Sequence, residues 1–494
     1  MVNKIIILGG GSAGFLAAMA LKTRLPALPV IVIRSKDIGI IGVGEGSTGG
    51  FTNFLHNYLR IRPQRFFQVA RPTWKLGLRF VWGARPQFFY TFAPTTGRHT
   101  PGLRKPDGYY WGEEVDSCDL LTAMMAQDRV FERTADGVPK IHSAIAYHFE
   151  NEKFVQFLEE YAAGLEVAIQ DDTVVDVKQA QEGIAGLVLA SGRTEAADLY
   201  VDCSGFSSAL LGKRLLERFV DYAPSLFCDR AVVGSWERAD EPIKPYTTCE
   251  TMSAGWCWQI EHEARVNRGY VYSSGFISDS DAEAEFRAAN PKVSKARVVR
   301  FISGRYERAW VKNVVAIGNA SGFVEPLEAT ALGVIGVQSS LLADMLLDAD
   351  REVRPSQVAY FNRHHADSWD SIRDFLAMHY RFNTRLQTPF WEHCRRDTVL
   401  AGAEPIVQYY QENGPSPLTG SDLLRCRDQF GMRGYYTLLI GQGVPYRQTH
   451  VPSVGEWKQW NAARTKYRAA AMAAMTVREA LSVIHSPHWR WLDR

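Results

Sequence analysis

The chain opens on an unbroken apolar run, Ile5-Ile6-Ile7-Leu8. A run without polar alternation is the pattern of a parallel strand buried on both faces. Helix formers over residues 15–25, closed by Pro26 and Pro29, predict a helix, and Val30 to Ile33 predict a second buried strand. Residues 37–50 are rich in Gly and Ser and read as a loop, whereas 72–120 show no clean period. Residues 151–164 carry the period of an amphipathic helix, and 172–201 alternate in three short runs that predict an antiparallel sheet. Residues 245–276 also read as strands, Val314 to Ile317 as another buried strand, and 331–347 as an apolar helix. Asp, Arg, Glu and Pro in 348–355 mark a boundary, beyond which helical patterns dominate. The expected organisation is an α/β region over 1–347 and a mainly helical region over 348–494.

Composition changes this picture little. The 494 residues carry 56 basic against 54 acidic side chains and are 46% hydrophobic, which excludes a disordered chain and gives no reason to expect nucleic acid or an anionic membrane as partner. Seven scattered cysteines without a CxxC pair point to a reduced, cytoplasmic compartment. The apolar N-terminus imitates a signal peptide, but cleavage would discard the first strand, so the strand reading is preferred. No uncharged run of about 20 apolar residues predicts a membrane span. No metal-ligand spacing is present; His364-His365 reads as solvated helix surface. Oligomeric state stays open, with a dimer admissible.

Gly9-Gly10-Gly11-Ser12-Ala13-Gly14 follows the first strand and opens the first helix. In that setting G-x-G-x-x-G brings backbone close to a pyrophosphate at a helix N-terminus. The acidic residue expected at the end of the second strand is replaced by Arg34, which suits a 2′-phosphate or the adenosine of FAD. The fingerprint alone therefore leaves FAD and NADP open. Asp198 to Gly205 and Asn313 to Ala320 add two strand-plus-glycine segments in the order found in FAD-dependent oxidoreductases.

Several further segments together resemble the flavin-dependent tryptophan halogenases. They are Ile41-Gly42-Val43-Gly44-Glu45-Gly46-Ser47, Trp74-Lys75-Leu76-Gly77, Glu325-Pro326-Leu327-Glu328-Ala329-Thr330-Ala331, Arg373-Asp374-Phe375 through His379-Tyr380, and Thr388-Pro389-Phe390-Trp391. The resemblance runs over roughly residues 1–400. It implies an FAD-binding Rossmann-like module, akin to glutathione reductase and hydroxybenzoate hydroxylase, with an antiparallel sheet and a helical C-terminal substrate region. It also implies FADH2 delivered by a separate flavin reductase, O2, and chloride or bromide. The product of these is hypohalous acid, directed to an electron-rich, indole-like arene.

Carried over residue by residue, the resemblance makes Lys75 the holder of hypohalous acid and Glu328 its assistant. It assigns the cofactor to Gly9, Gly11, Ser12, Ala13, Gly14, Arg34, Gly44, Glu45, Gly46, Val174, Asn319 and Leu332. It assigns halide to the amides of Thr330 and Ala331, at a helix expected to begin near Pro326. Trp256 and Trp258 alternate along a strand on the substrate side, but Glu261 stands where the family motif W-x-W-x-I-P has Pro. Read without the resemblance, Lys75 is a surface lysine and the tryptophans are core. The alternatives are a single-component FAD-dependent aromatic monooxygenase, kept alive by Arg34 and Glu261, and a binding protein that retains only the fold. Tyr409-Tyr410 and Tyr435-Tyr436 either line a pocket or pack.

Overall fold

The computed structural model describes residues 1–39, 44–112, 114–142, 145–418, 422–447 and 449–491. Contacts divide the chain into two units, each assembled from three segments. The first comprises Met1–Arg71, Phe149–Tyr222 and Phe301–Trp369; the second comprises Pro72–His148, Ala223–Arg300 and Asp370–Arg494. This division differs from the single cut expected near residue 347. The first half of helix Pro355–Arg381 stays with the first unit because its polar side chains are spent there. Asn362 accepts from the backbone N–H groups of Ala309 (2.9 Å) and Trp310 (2.8 Å).

The first unit is built on a six-stranded sheet. Strand β1 (Ile5–Leu8) lies at its centre, flanked by β2 (Val30–Arg34) and by strand Leu199–Asp202, all parallel. Strands Ala168–Asp171 and Val314–Ala316 extend it in parallel, and Trp310–Val311 closes one edge antiparallel. Helix α1 (Ser12–Arg24) crosses from β1 to β2, and every residue from Gly14 to Lys22 is buried. The apolar run at 5–8 therefore reflects burial on both faces. Of the stretch 172–201 expected to be antiparallel, Val174–Ala180, Gly183–Leu189 and Thr194–Glu195 form such a sheet, packed through Ile184, Leu187 and Leu189 onto Ile6, Ile33 and Tyr200, whereas Leu199–Asp202 joins the parallel sheet. Helix Asn151–Gly164 falls on the predicted amphipathic segment.

Helix Ala331–Asp348 is apolar and long enough, by length and composition, to cross a membrane. Half of it is buried in the protein: it packs on α1, and a Cβ on Gly336 would come within 3.0 Å of the Phe54 ring. Its composition thus matches a core helix.

The second unit holds a seven-stranded sheet in the order Ala296–Arg300, Arg230–Glu237, Arg265–Tyr272, Gly255–Glu261, Tyr246–Met252, Gly77–Val81, Phe88–Thr91. All neighbours are antiparallel except Tyr246–Met252 with Gly77–Val81. Residues 72–120, which showed no period, supply two of these strands and the short strand Thr73–Lys75. They lack alternation because both faces are covered: Phe88 to Thr91 are all buried.

Candidate active site

The glycine fingerprint is built by close backbone approach. Gly9 has φ +124°, and a Cβ there would lie 2.3 Å from the Cys203 carbonyl oxygen. A Cβ on Gly14 would lie 1.8 Å from the Gly9 oxygen. Gly11 differs, because a Cβ there would meet nothing within 4 Å. The turn is thus sealed on its protein side and open at Gly11, where Ser12 and Ala13 begin α1 and present first-turn amides. Gly318 (φ +64°) brings the turn Gly318–Ala320, with half-buried Asn319, to this helix start: its Cβ would sit 3.3 Å from that of Ala13. Beneath the turn the Asp202 carboxylate accepts from the N–H groups of Ser204, Leu210 and Leu211. This cradle fits a dinucleotide pyrophosphate.

Arg34 occupies the end of β2 with its stem against Gly10. Its guanidinium is held by Glu159 and, through Nε at 2.8 Å, by Asp171 on the neighbouring strand. A 2′-phosphate there would face two carboxylates, which disfavours the NADP reading of Arg34. The carboxylates missing from the end of β2 are thus present beside it. Sequence reasoning missed them because they come from 125 and 137 residues away. Val174 follows Thr173, whose hydroxyl bonds Ser35, so it too lies by the end of β2.

Residues 41–43 of the GVGEGS motif lie outside the described residues. The rest of the loop is clamped by one side chain: the Asn151 amide accepts from the Gly44 N–H (3.0 Å) and donates to the Glu45 carboxylate (2.8 Å). Gly46 completes a two-residue strand with Glu45. Burial pushes the Glu45 carboxyl up to about 7, against the Asn151 hydrogen bond that lowers it. A group raised in the folded state stabilises the fold at low pH and loses that contribution as pH rises through its folded value. The Tm of the chain should therefore fall between pH 4.5 and about 7, and Glu45→Gln should reduce that slope. An unchanged slope in thermal melts across this window would refute the assignment.

The EPLEAT segment forms a turn rather than a helical start. The Ala329 N–H bonds the Pro326 oxygen at 3.1 Å, and Ala329 sits in the left-handed region at φ +55°. The helix begins at Ala331, with Thr330 as its cap and Leu332 buried in its first turn. This corrects the expected start near Pro326: the left-handed residue blocks propagation from there. Glu328 is buried and precedes the cap by two residues, so it is not a first-turn carboxylate. The Thr330 hydroxyl makes no capping bond, leaving the first-turn amides of this helix to other acceptors.

In the second unit, Lys75 lies at the end of strand Thr73–Lys75, with no exposed surface. Its amine stands 5.1 Å from the centroid of the Phe92 ring. Full burial is rare for lysine and overturns the surface reading of Lys75. Thr73 shares its face of the strand, and Trp74 points the other way onto Phe131. Trp256 and Trp258 stand on one face of strand Gly255–Glu261, their rings 5.9 Å apart. Trp258 is seated on bare backbone: a Cβ on Gly269 across the ladder would lie 2.0 Å from its ring. Both indole N–H groups are buried without a hydrogen-bond partner among the described residues. Trp391, by contrast, donates to the Met252 oxygen at 2.7 Å.

A family model described as tryptophan halogenase matches residues 4–456. The chain belongs to the tryptophan halogenase family. This halogenase is 32% identical to the tryptophan 7-halogenase KtzQ of Kutzneria sp. (strain 744), over 90% of this chain and 89% of that one. Its fold superposes on MibH, a lanthipeptide tryptophan 5-halogenase, with TM-score 0.88 and 39% identity, covering 98% and 94% of the two chains. BrvH, a flavin-dependent halogenase from Brevundimonas sp. BAL3, aligns with TM-score 0.86 and 26% identity over 98% and 100%. The halogenase is accordingly a flavin-dependent enzyme.

Other expectations resolve in the same structure. His365 is buried, not solvated, between Gln338 (3.3 Å) and the Tyr306 oxygen (2.9 Å). Tyr410, Tyr435 and Tyr436 are buried packing residues, with Tyr410 donating to the Val444 oxygen and Tyr435 to Asp428. The Tyr410 ring also packs on Tyr446, 5.2 Å away.

Proposed function

We propose that this halogenase installs chloride or bromide on the indole ring of tryptophan, using FADH2 from a separate flavin reductase. Bound FADH2 supplies the electrons that, with O2, convert halide into hypohalous acid. The observation that carries the reading is the fully buried Lys75 on a strand edge. Hypohalous acid free in water is indiscriminate. A buried amine offers it a hydrogen-bond donor with no competing water and fixes it beside one carbon. Glu328, buried as well, takes the proton that leaves the halogenated ring. Halide sits on the amides that open helix Ala331–Asp348, at Thr330 and Ala331. The open turn at Gly11 with Ser12, Ala13 and Asn319 holds the pyrophosphate of FAD, and Gly44 to Gly46 line the same cofactor.

The test is an assay with FAD, a flavin reductase, NADH and either halide. It offers free tryptophan and tryptophan-containing peptides in parallel. A halogenated indole is expected. Hydroxylated product formed without halide would replace this reading with the monooxygenase one. The 39% identity with a lanthipeptide halogenase, against 27% with a tryptophan 6-halogenase superposed in the same way, favours tryptophan within a peptide over the free amino acid.

A further inference from the structure

Glu261 departs from the family motif, and its surroundings are specific. It is completely buried at the end of the strand that carries Trp256 and Trp258. Its carboxylate is clasped by Arg238 Nη2 (2.5 Å) and by Gln259 Nε2 (2.6 Å). Arg238 is itself laced to backbone, donating to the carbonyls of His262 (3.0 Å) and Pro242 (2.9 Å). Both carboxylate oxygens of Glu261 are thereby engaged. Its carbonyl oxygen accepts the Thr73 hydroxyl at 2.5 Å.

That bond sets a direction for the whole chain of contacts. A carbonyl can only accept, so the Thr73 hydroxyl is the donor and its oxygen remains an acceptor. The neighbour at 3.4 Å is His148 Nδ1, which must then carry the proton. His148 is buried opposite Thr73 in the ladder, and its Nε2, at 2.9 Å from Thr247 Oγ1, accepts that hydroxyl. Burial, reinforced by the charges of Lys75, His262 and Arg238, holds the imidazole well below its usual value and hence neutral. Thr247 thus donates to His148, and both the His148 ring and the Thr73 hydroxyl bond the Glu261 backbone. Thr73 stands two residues before Lys75 on the same face of a three-residue strand.

We propose that Glu261, locked by Arg238 and Gln259, is a positioning residue for Lys75, acting through its carbonyl and Thr73. Proline in the family motif has no carboxylate to be locked in this way. In this chain the ion pair holds the end of the tryptophan strand where the Thr73 hydroxyl of the lysine strand meets its carbonyl. The inference rests on the role given to Lys75 above.

The test measures halogenated product formed per FADH2 oxidised, together with hypohalous acid caught by an external trap. Thr73→Val cuts the hydroxyl link while keeping the shape. The expected result is a loss of about tenfold or more in product per FADH2, since misplacement of a reacting group is that costly. Trapped oxidant rises in step while FAD affinity changes little, and Tm falls modestly from the lost buried hydrogen bond. Thr73→Ser restores the coupling, which separates positioning from mere packing and covers failure of the valine variant to fold. Wild-type coupling in Thr73→Val, with Lys75→Ala inactive, overturns this inference alone. Full halogenation by Lys75→Ala overturns both it and the reading of the site. No rescue by serine also counts against it.

Discussion

Lys75→Ala is expected to leave an enzyme that binds FAD, consumes FADH2 and yields no more than about 1% of the wild-type halogenated product. The magnitude follows from what a positioned proton donor contributes, on the order of 10²–10⁴-fold. The amine has no exposed surface, so water cannot take over its hydrogen bond without reorganising strand Thr73–Lys75. Consumption of FADH2 should persist because the glycine turn, Asn319 and the Asn151-clamped loop all belong to the other unit. Lys75→Arg sharpens the test. Guanidinium donates hydrogen bonds but does not become a nucleophilic amine at accessible pH. Partial activity in the arginine variant would assign Lys75 as a donor, whereas complete loss would favour a covalent haloamine. The measurement is single-turnover product yield by mass spectrometry with FADH2 oxidation followed in parallel. Undiminished product from Lys75→Ala would remove the lysine from the mechanism.

Much of this site could be read from local sequence because its parts are local. The fingerprint at Gly9 to Gly14 needs only the strand before it and the helix after it. Lys75 was recognisable from its neighbours Trp74 and Leu76 within a resembling motif, although its complete burial needed the strands around it. The start of helix Ala331–Asp348 was misplaced by five residues, because the left-handed turn at Ala329 is a backbone state that alanine does not announce. The partners of Arg34 and Glu261 were illegible for another reason. Glu159, Asp171, Arg238 and Thr73 reach them across 125, 137, 23 and 188 residues, and no period or motif encodes such separations. Glu261 was visible as a departure from a pattern; what it does required the neighbouring strands.

Arg238→Ala should destabilise the second unit by about 3–5 kcal/mol, the cost of leaving a buried charge without its partner. The side chains are only 2% and 0% exposed, so no solvent is available to compensate Glu261. Gln259 still donates to the carboxylate but brings no charge. Against the usual 5–15 kcal/mol of a whole domain this is a large fraction. A buried pair is not in itself a source of net stability, since desolvation offsets the attraction. Replacing both partners therefore tells more than replacing one. Arg238→Met with Glu261→Met removes both charges and should recover most of the loss, despite the bonds from Arg238 to the His262 and Pro242 carbonyls that it forfeits. The expected cycle is strongly non-additive, with a coupling of at least about 2 kcal/mol between the two positions. Urea denaturation of the four proteins measures it directly. Additive single effects, or an Arg238→Ala variant within about 1 kcal/mol of wild type, would mean that the carboxylate is neutralised in another way and that the ion pair does not lock the strand.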